Sequence, residues 1–200
     1  MEPNLLNLLV GFAYIVVFGG MGLLRKEGVS TQFLIESLGL TALVVLGGYL
    51  LSPPANPILF LILLYIFTMR SRLISDLANF LSTRGRQRDA INLLQVALRL
   101  LPDRPSRLIV LTNMGIIQLR RKNPASAQAL LESVLQQAES GGLSLRHRAA
   151  CHYNLGIAYQ QQNRHAQAAS HFDRVVEIFP GSEFARAAEK AIKQRREKRK

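Results

Sequence analysis

Asn154 to Pro180 reads NLGIAYQQQNRHAQAASHFDRVVEIFP, and this stretch decides the fold. Gly156 is followed by Ala168, Phe172, Val175 and Pro180, at steps of 12, 4, 3 and 5. The same steps occur upstream. Ala78 leads to Ala90, Leu94, Ala97 and Pro102, and Gly115 leads to Ala127, Leu131, Val134 and Glu139. A large apolar residue precedes each first member: Leu77, Met114 and Leu155. Small residues at these places let two antiparallel helices approach closely, and the large residues between them fill the space to the next pair. The closing Pro stops the second helix. No such unit buries its apolar face alone, so about three must stack.

NLGIAYQ with Ala168, Phe172 and Pro180 resembles the tetratricopeptide repeat, and so do the two upstream copies. Framed on that resemblance, the copies cover 71–104, 108–141 and 149–182, with linkers of 3 and 7 residues. The longer linker is expected to loosen helix phasing. The copies depart from the family in places. Ile74, Leu111 and His152 stand where it has a leading Trp, Gln118 where it has an aromatic, and Glu139 where it has Pro.

The resemblance implies a helix-turn-helix solenoid whose first helices line a concave groove for a protein or peptide partner. Mapped on this chain, the groove takes Arg72, Ser75, Asn79 and Thr83; Thr112, Asn113, Ile116 and Arg120; and Tyr153, Asn154, Ile157 and Gln161. The partner-binding set expected from it is Asn79, Asn113, Arg120, Tyr153, Asn154 and Gln161. An Asn amide donates and accepts at once, which suits the backbone of an extended peptide. Some members of the family clamp the carboxy-terminal carboxylate of chaperones. Here Asn79 and Asn113 match polar places of that clamp, but Ser75 and Ala150 replace lysines and Asn154 replaces a basic residue.

Outward from the repeats, Glu183 to Lys200 forms a last helix. Its stripe of Phe184, Ala187, Ala188, Ala191 and Ile192 suits a cap, and its end is strongly basic.

The amino-terminal side is different in kind. Of the 200 residues, 1–69 carry two basic and three acidic residues, a balance of −1; 70–200 carry 23 and 10, a balance of +13. Leu5 to Leu24 is 20 residues without a charge, about 30 Å of helix and long enough to cross a bilayer. Arg25 and Lys26 follow it, whereas a cleaved secretory signal carries its positive charge in front, so an uncleaved anchor is expected. Phe33 to Leu51 is a second apolar run, and Ser52 to Pro57 breaks it. Ile58 to Met69 is a third, only 12 residues long; it reaches spanning length by starting within the Pro cluster and running on to snorkelling Arg70 and Arg72, or it forms a hairpin.

The expected organisation is all-α. A membrane domain over 1–70 has helices at about 5–24, 33–51 and 55–72. A solenoid covers 71–182, and 183–200 holds the capping helix and basic tail. The positive-inside bias places 70–200 in the cytoplasm, making the chain a multi-pass protein of the cell membrane. Glu36 is expected at the interface near Arg25 or Lys26, and Gly19, Gly20, Gly22, Gly47 and Gly48 suit close packing of the spans.

Catalytic chemistry finds no foothold. Cys151 and His147 share a helix face, but two side chains do not make a zinc site, and nothing in the sequence orients a thiol–imidazole pair. Cys151 is read as packing, and His165 and His171 as solvated helix residues. There is no phosphate loop, nucleophile elbow or paired-carboxylate motif. No enzyme, metal or cofactor is expected. The functional expectation is a membrane-anchored adaptor or assembly scaffold. The alternative is a basic tether for ribosomes, nucleic acid or anionic lipid. The tail lacks aromatics for base stacking, so lipid is the better-fitting target.

Overall fold

The structure is a computed structural model and describes residues 2–24, 30–50 and 54–197. Arg25 and Lys26, Leu51 to Pro53, and Lys198 to Lys200 lie outside the described residues. The described chain is all-helical: α1 Pro3–Leu24, α2 Thr31–Leu50, α3 Pro57–Thr83, α4 Gln87–Arg99, α5 Arg104–Arg120, α6 Pro124–Ala138, α7 Leu145–Gln161, α8 His165–Ile178 and α9 Glu183–Glu197.

The first three helices pack on one another, and each is long and apolar enough to cross a membrane by length and composition. Where α1 crosses α2, a Cβ on Gly11 would meet Thr41 at 2.4 Å and one on Gly48 would meet Asn4 at 2.2 Å. The close approaches therefore fall at Gly11 and Gly48. Of the expected glycine set, Gly48 is thus a close approach, whereas Gly20 and Gly47 face open space. Polar groups fix α1 against α3 and the segment just before it. The buried Asn7 amide donates to Ala55 O at 2.9 Å, and the Tyr14 and Thr68 hydroxyls pair at 2.5 Å. Tyr14, Phe33, Phe60 and Leu64 form the core between the helices.

α3 is where expectation and structure part. Asn56 caps it, accepting from Ile58 N at 2.9 Å and Leu59 N at 3.3 Å, with Pro57 in its first turn. The helix then runs 27 residues without interruption. The boundary expected at 70/71 lies inside it, because neither Arg70 nor Arg72 breaks a helix. The third apolar helix and the first helix of the first repeat are one element.

From there the chain pairs α3 with α4, α5 with α6 and α7 with α8, and the first helices α3, α5 and α7 lie side by side. Each turn inside a pair uses one residue of positive φ: Gly85 (81°), Lys122 (58°) and Asn163 (60°). The next N–H reaches back five residues each time, Arg86 to Leu81, Asn123 to Gln118 and Arg164 to Tyr159. These are Schellman caps, which need the left-handed conformation.

The long linker is not loose. Ser144 caps α7 by accepting from His147 N at 3.4 Å, so Leu145 to Arg148 are the first turn of that helix. Leu143 is buried, and Arg104 ties the loop by donating to Gln137 O at 2.6 Å and to Ser140. α9 covers the end of the array by packing on α7 and α8. Ala185 and Ala188 are its fully buried residues, with Phe184, Ala191 and Ile192 beside them; Ala185, absent from the expected stripe, lies deeper than Ala187.

Candidate functional site

The candidate site is the face shared by α3, α5 and α7. Side chains tie these helices together along it. Arg120 donates to Ser82 Oγ at 2.8 Å, and Arg72 to Ser106 Oγ at 3.3 Å. Thr112 Oγ1 lies 3.3 Å from Cys151 Sγ. Asn79 and Asn113 are half-buried, and their amides hydrogen-bond to no protein group among the described residues, so both can serve a ligand. Asn154 is different: its amide donates to Ala150 O one turn back, at 2.8 Å, which occupies one of its two N–H groups. The Tyr153 ring packs between Phe172 at 5.8 Å and Phe184 at 6.0 Å, and so secures α9 to α7. Gln161 is exposed at the end of α7.

Other residues expected on this face are interior. Ser75 and Thr112 are each 1% exposed, and the Thr112 hydroxyl is taken by Leu108 O at 2.7 Å. Their helical phase differs by only about 100° from that of Asp76 and Asn113, which spacing alone cannot separate. Ser75 and Ala150, the places where a carboxylate clamp has lysines, are buried small residues.

Toward the apolar helices α1 and α2, the face opens into a cleft of about 250 Å³. Phe18 and Phe33 from α1 and α2, Arg72 and Asp76 from α3, and Ser106 from α5 line it. No motif announces this cleft, since its walls come from distant segments.

A second polar cluster lies across α6, α7 and α8. The Tyr159 hydroxyl donates to Glu132 Oε1, Gln128 bridges Glu132 at 3.0 Å and the Tyr159 hydroxyl at 3.3 Å, and Arg164 sits 4.7 Å over the Tyr159 ring. His171 stacks on Tyr159 at 5.3 Å and meets His152, Nδ1 to Nδ1, at 3.0 Å. His171 is thus a packed residue, not a solvated one. Burial pushes His152 down to about 4, with the charges of His171, Arg174 and Arg148 adding to the effect; burial also lowers His171, against the opposing charge of Glu132.

Within the described residues, which leave out the expected neighbours Arg25 and Lys26, Glu36 pairs across helices. It receives both Arg70 Nη1 at 2.6 Å and Arg70 Nη2 at 2.9 Å. Burial pushes the Cys151 thiol up to about 12, so at neutral pH it stays protonated and is no nucleophile. His147 bonds Ser144 Oγ through Nδ1 at 2.8 Å, which makes it part of the α7 cap. Among the described residues, no group of three or more His, Cys, Asp or Glu could hold a metal ion.

Comparison with known proteins bears on the repeats. The tetratricopeptide repeat family matches residues 106–180, which takes in the second and third copies and leaves the first outside. Comparison with curated proteins gives no match. Among solved structures, the N-terminal domain of stress-induced protein-1 (STI-1) from C. elegans is similar, with a TM-score of 0.51 and 19% identity, over 62% of this chain and 95% of that one. Over residues 106–180, then, the chain is similar in sequence to the tetratricopeptide repeat, and its array of helix pairs shares the fold of a solved domain.

Proposed function

We propose that this chain is a membrane-anchored adaptor or assembly scaffold that holds a partner protein on the cytoplasmic face of the cell membrane. The observation that carries the reading is the single helix α3. Its first half is an apolar run, its second half is the first helix of the repeat array, and nothing flexible separates them. An adaptor built this way presents its groove at a set distance from the bilayer. Three further observations support it: three helices of spanning length, the basic excess after residue 69, and the similarity to a repeat widely used for protein recognition. Asn79 and Asn113 are the groove amides that would grip the partner's backbone, with Arg120 and Gln161 flanking them.

The test is capture of partners by the full chain from solubilised membranes, compared with the double variant Asn79→Ala, Asn113→Ala. Both residues are half-exposed, so stability should change by less than about 0.5 kcal/mol. Capture should fall, since each lost hydrogen bond to a desolvated backbone group costs about 1–3 kcal/mol. A variant that folds and captures the same partners refutes groove recognition by these residues. The tether reading predicts capture that collapses with rising salt and with loss of Lys193–Lys200, since it rests on phosphate neutralisation.

A further inference from the structure

Leu101, in the α4–α5 loop, is 77% exposed at a backbone φ of 49°. A leucine is doubly out of place there: its Cβ disfavours the left-handed region and its side chain disfavours water. The other repeats treat the same place differently. Ala138 in the second is 3% exposed, and Phe179 in the third packs against the core.

The loop's conformation is held from outside the repeats. Gln32 of α2 donates to Leu101 O at 2.7 Å, and Arg70 of α3 donates to Leu100 O at 3.0 Å and Leu101 O at 3.4 Å. Gln32 also bonds Glu36, so Gln32, Glu36 and Arg70 form one knot. Around the knot, Ile35 is 71% exposed, Ile66 52% and Phe67 46%, and Arg70 sits 5.2 Å over the Phe67 ring. The Leu100 and Leu101 carbonyls are thus satisfied by side chains, which lowers the cost of bringing this irregular backbone toward lipid. What the loop still offers is aliphatic: Leu101, with Leu100 37% exposed beside it. Arg99, exposed at the end of α4, supplies a cation of the kind that snorkels to headgroups.

We propose that the α4–α5 loop docks into the acyl boundary of the bilayer through Leu101, as a fourth membrane contact of the chain. The occupant is lipid because the loop is hydrogen-bonded to Gln32 of α2 and Arg70 of α3, and those same helices expose Ile35, Ile66 and Phe67 within one turn of these two residues. The inference rests on the membrane-anchored reading above. Its consequence is that the repeat array is pinned to the bilayer at two points, along α3 and at this loop, so the groove keeps one orientation to the membrane.

The experiment uses the full chain in vesicles of phosphatidylcholine and phosphatidylglycerol, with an environment-sensitive fluorophore on a single introduced cysteine. Leu101→Cys reports the loop, Leu43→Cys the middle of α2, and Gln161→Cys the groove; native Cys151 is buried and does not label. The Leu101 probe should be quenched by spin-labelled lipid and shielded from aqueous iodide. The Leu43 probe should behave alike with a deeper spin label, and the Gln161 probe should be quenched by iodide alone. If Leu43 is lipid-quenched while Leu101 is quenched by iodide, docking of the loop is overturned and the anchored reading stands. A Leu101 probe shielded from both quenchers is covered by protein, a second copy included, which also overturns it. If Leu43 escapes the lipid label, the anchored reading itself fails and the loop proposal falls with it.

Discussion

Arg70 on α3 and Glu36 on α2 form a two-pronged ion pair, with N–O distances of 2.6 and 2.9 Å and side chains 21% and 19% exposed. The same guanidinium reaches Leu100 O in the first repeat. One side chain therefore links the apolar bundle to the array. Arg70→Ala should destabilise the full chain in detergent by about 1–3 kcal/mol, since it strands a partly buried carboxylate and a carbonyl. Glu36→Gln should cost less, because the contact to Leu100 survives. Arg70→Lys should not rescue, as an ammonium cannot reproduce the planar fork. Equal melting temperatures for Arg70→Ala and the parent would show that the pair holds nothing together.

The helix contacts in the repeats are close at glycine. A Cβ on Gly156 would lie 2.4 Å from the Phe172 ring, and one on Gly115 2.8 Å from Leu131. Gly156→Ala should therefore destabilise by roughly 1–2 kcal/mol despite its better helix propensity, and Ala168→Phe by about 1–3 kcal/mol. Gly47→Ala, with open space around it, serves as the control that should be neutral or mildly stabilising. Chemical denaturation of the three variants side by side reads the contrast.

Lys122 holds the place that Gly85 holds in the first repeat, at a φ of 58°. Lys122→Gly removes the strain of a side chain in the left-handed region and should raise stability by about 0.5–1 kcal/mol. A measured loss would mean that the Lys122 side chain contributes more than its backbone strain costs.

His152 and His171 give the fold a pH dependence. Their unfolded rings titrate near 6.5, whereas in the fold His152 titrates at about 4 and His171 also lies lower. The unfolded state therefore binds more protons between those values, and stability falls as pH falls from about 6.5 toward 4. Above that window the contribution is complete. Melting temperature followed from pH 7 to pH 4 should drop, and His152→Gln should flatten the curve. An unchanged slope in that variant would locate the titration elsewhere.

The periodic parts of this protein were legible in the sequence. Steps of 12, 4, 3 and 5 from Ala78, Gly115 and Gly156 locate helix pairs, because a small residue must face a large one wherever two helices touch. Uncharged runs locate the long apolar helices, because length and hydropathy are properties of a segment alone. What joins segments was not legible. The continuity of α3 through Arg70, the partnership of Arg70 with Glu36, the packing of His171 on Tyr159 and the outward turn of Leu101 each depend on a neighbour 12 or more residues away, or on a helix that fails to end. The Asn residues show the division within one site. The resemblance to the tetratricopeptide repeat put Asn79, Asn113 and Asn154 together among the expected groove residues, but only the tertiary structure separates the two with unengaged amides from the one bonded to Ala150. Periodicity is local and survives in a linear string, whereas the choice of partner for each polar group is made by the geometry of packed helices.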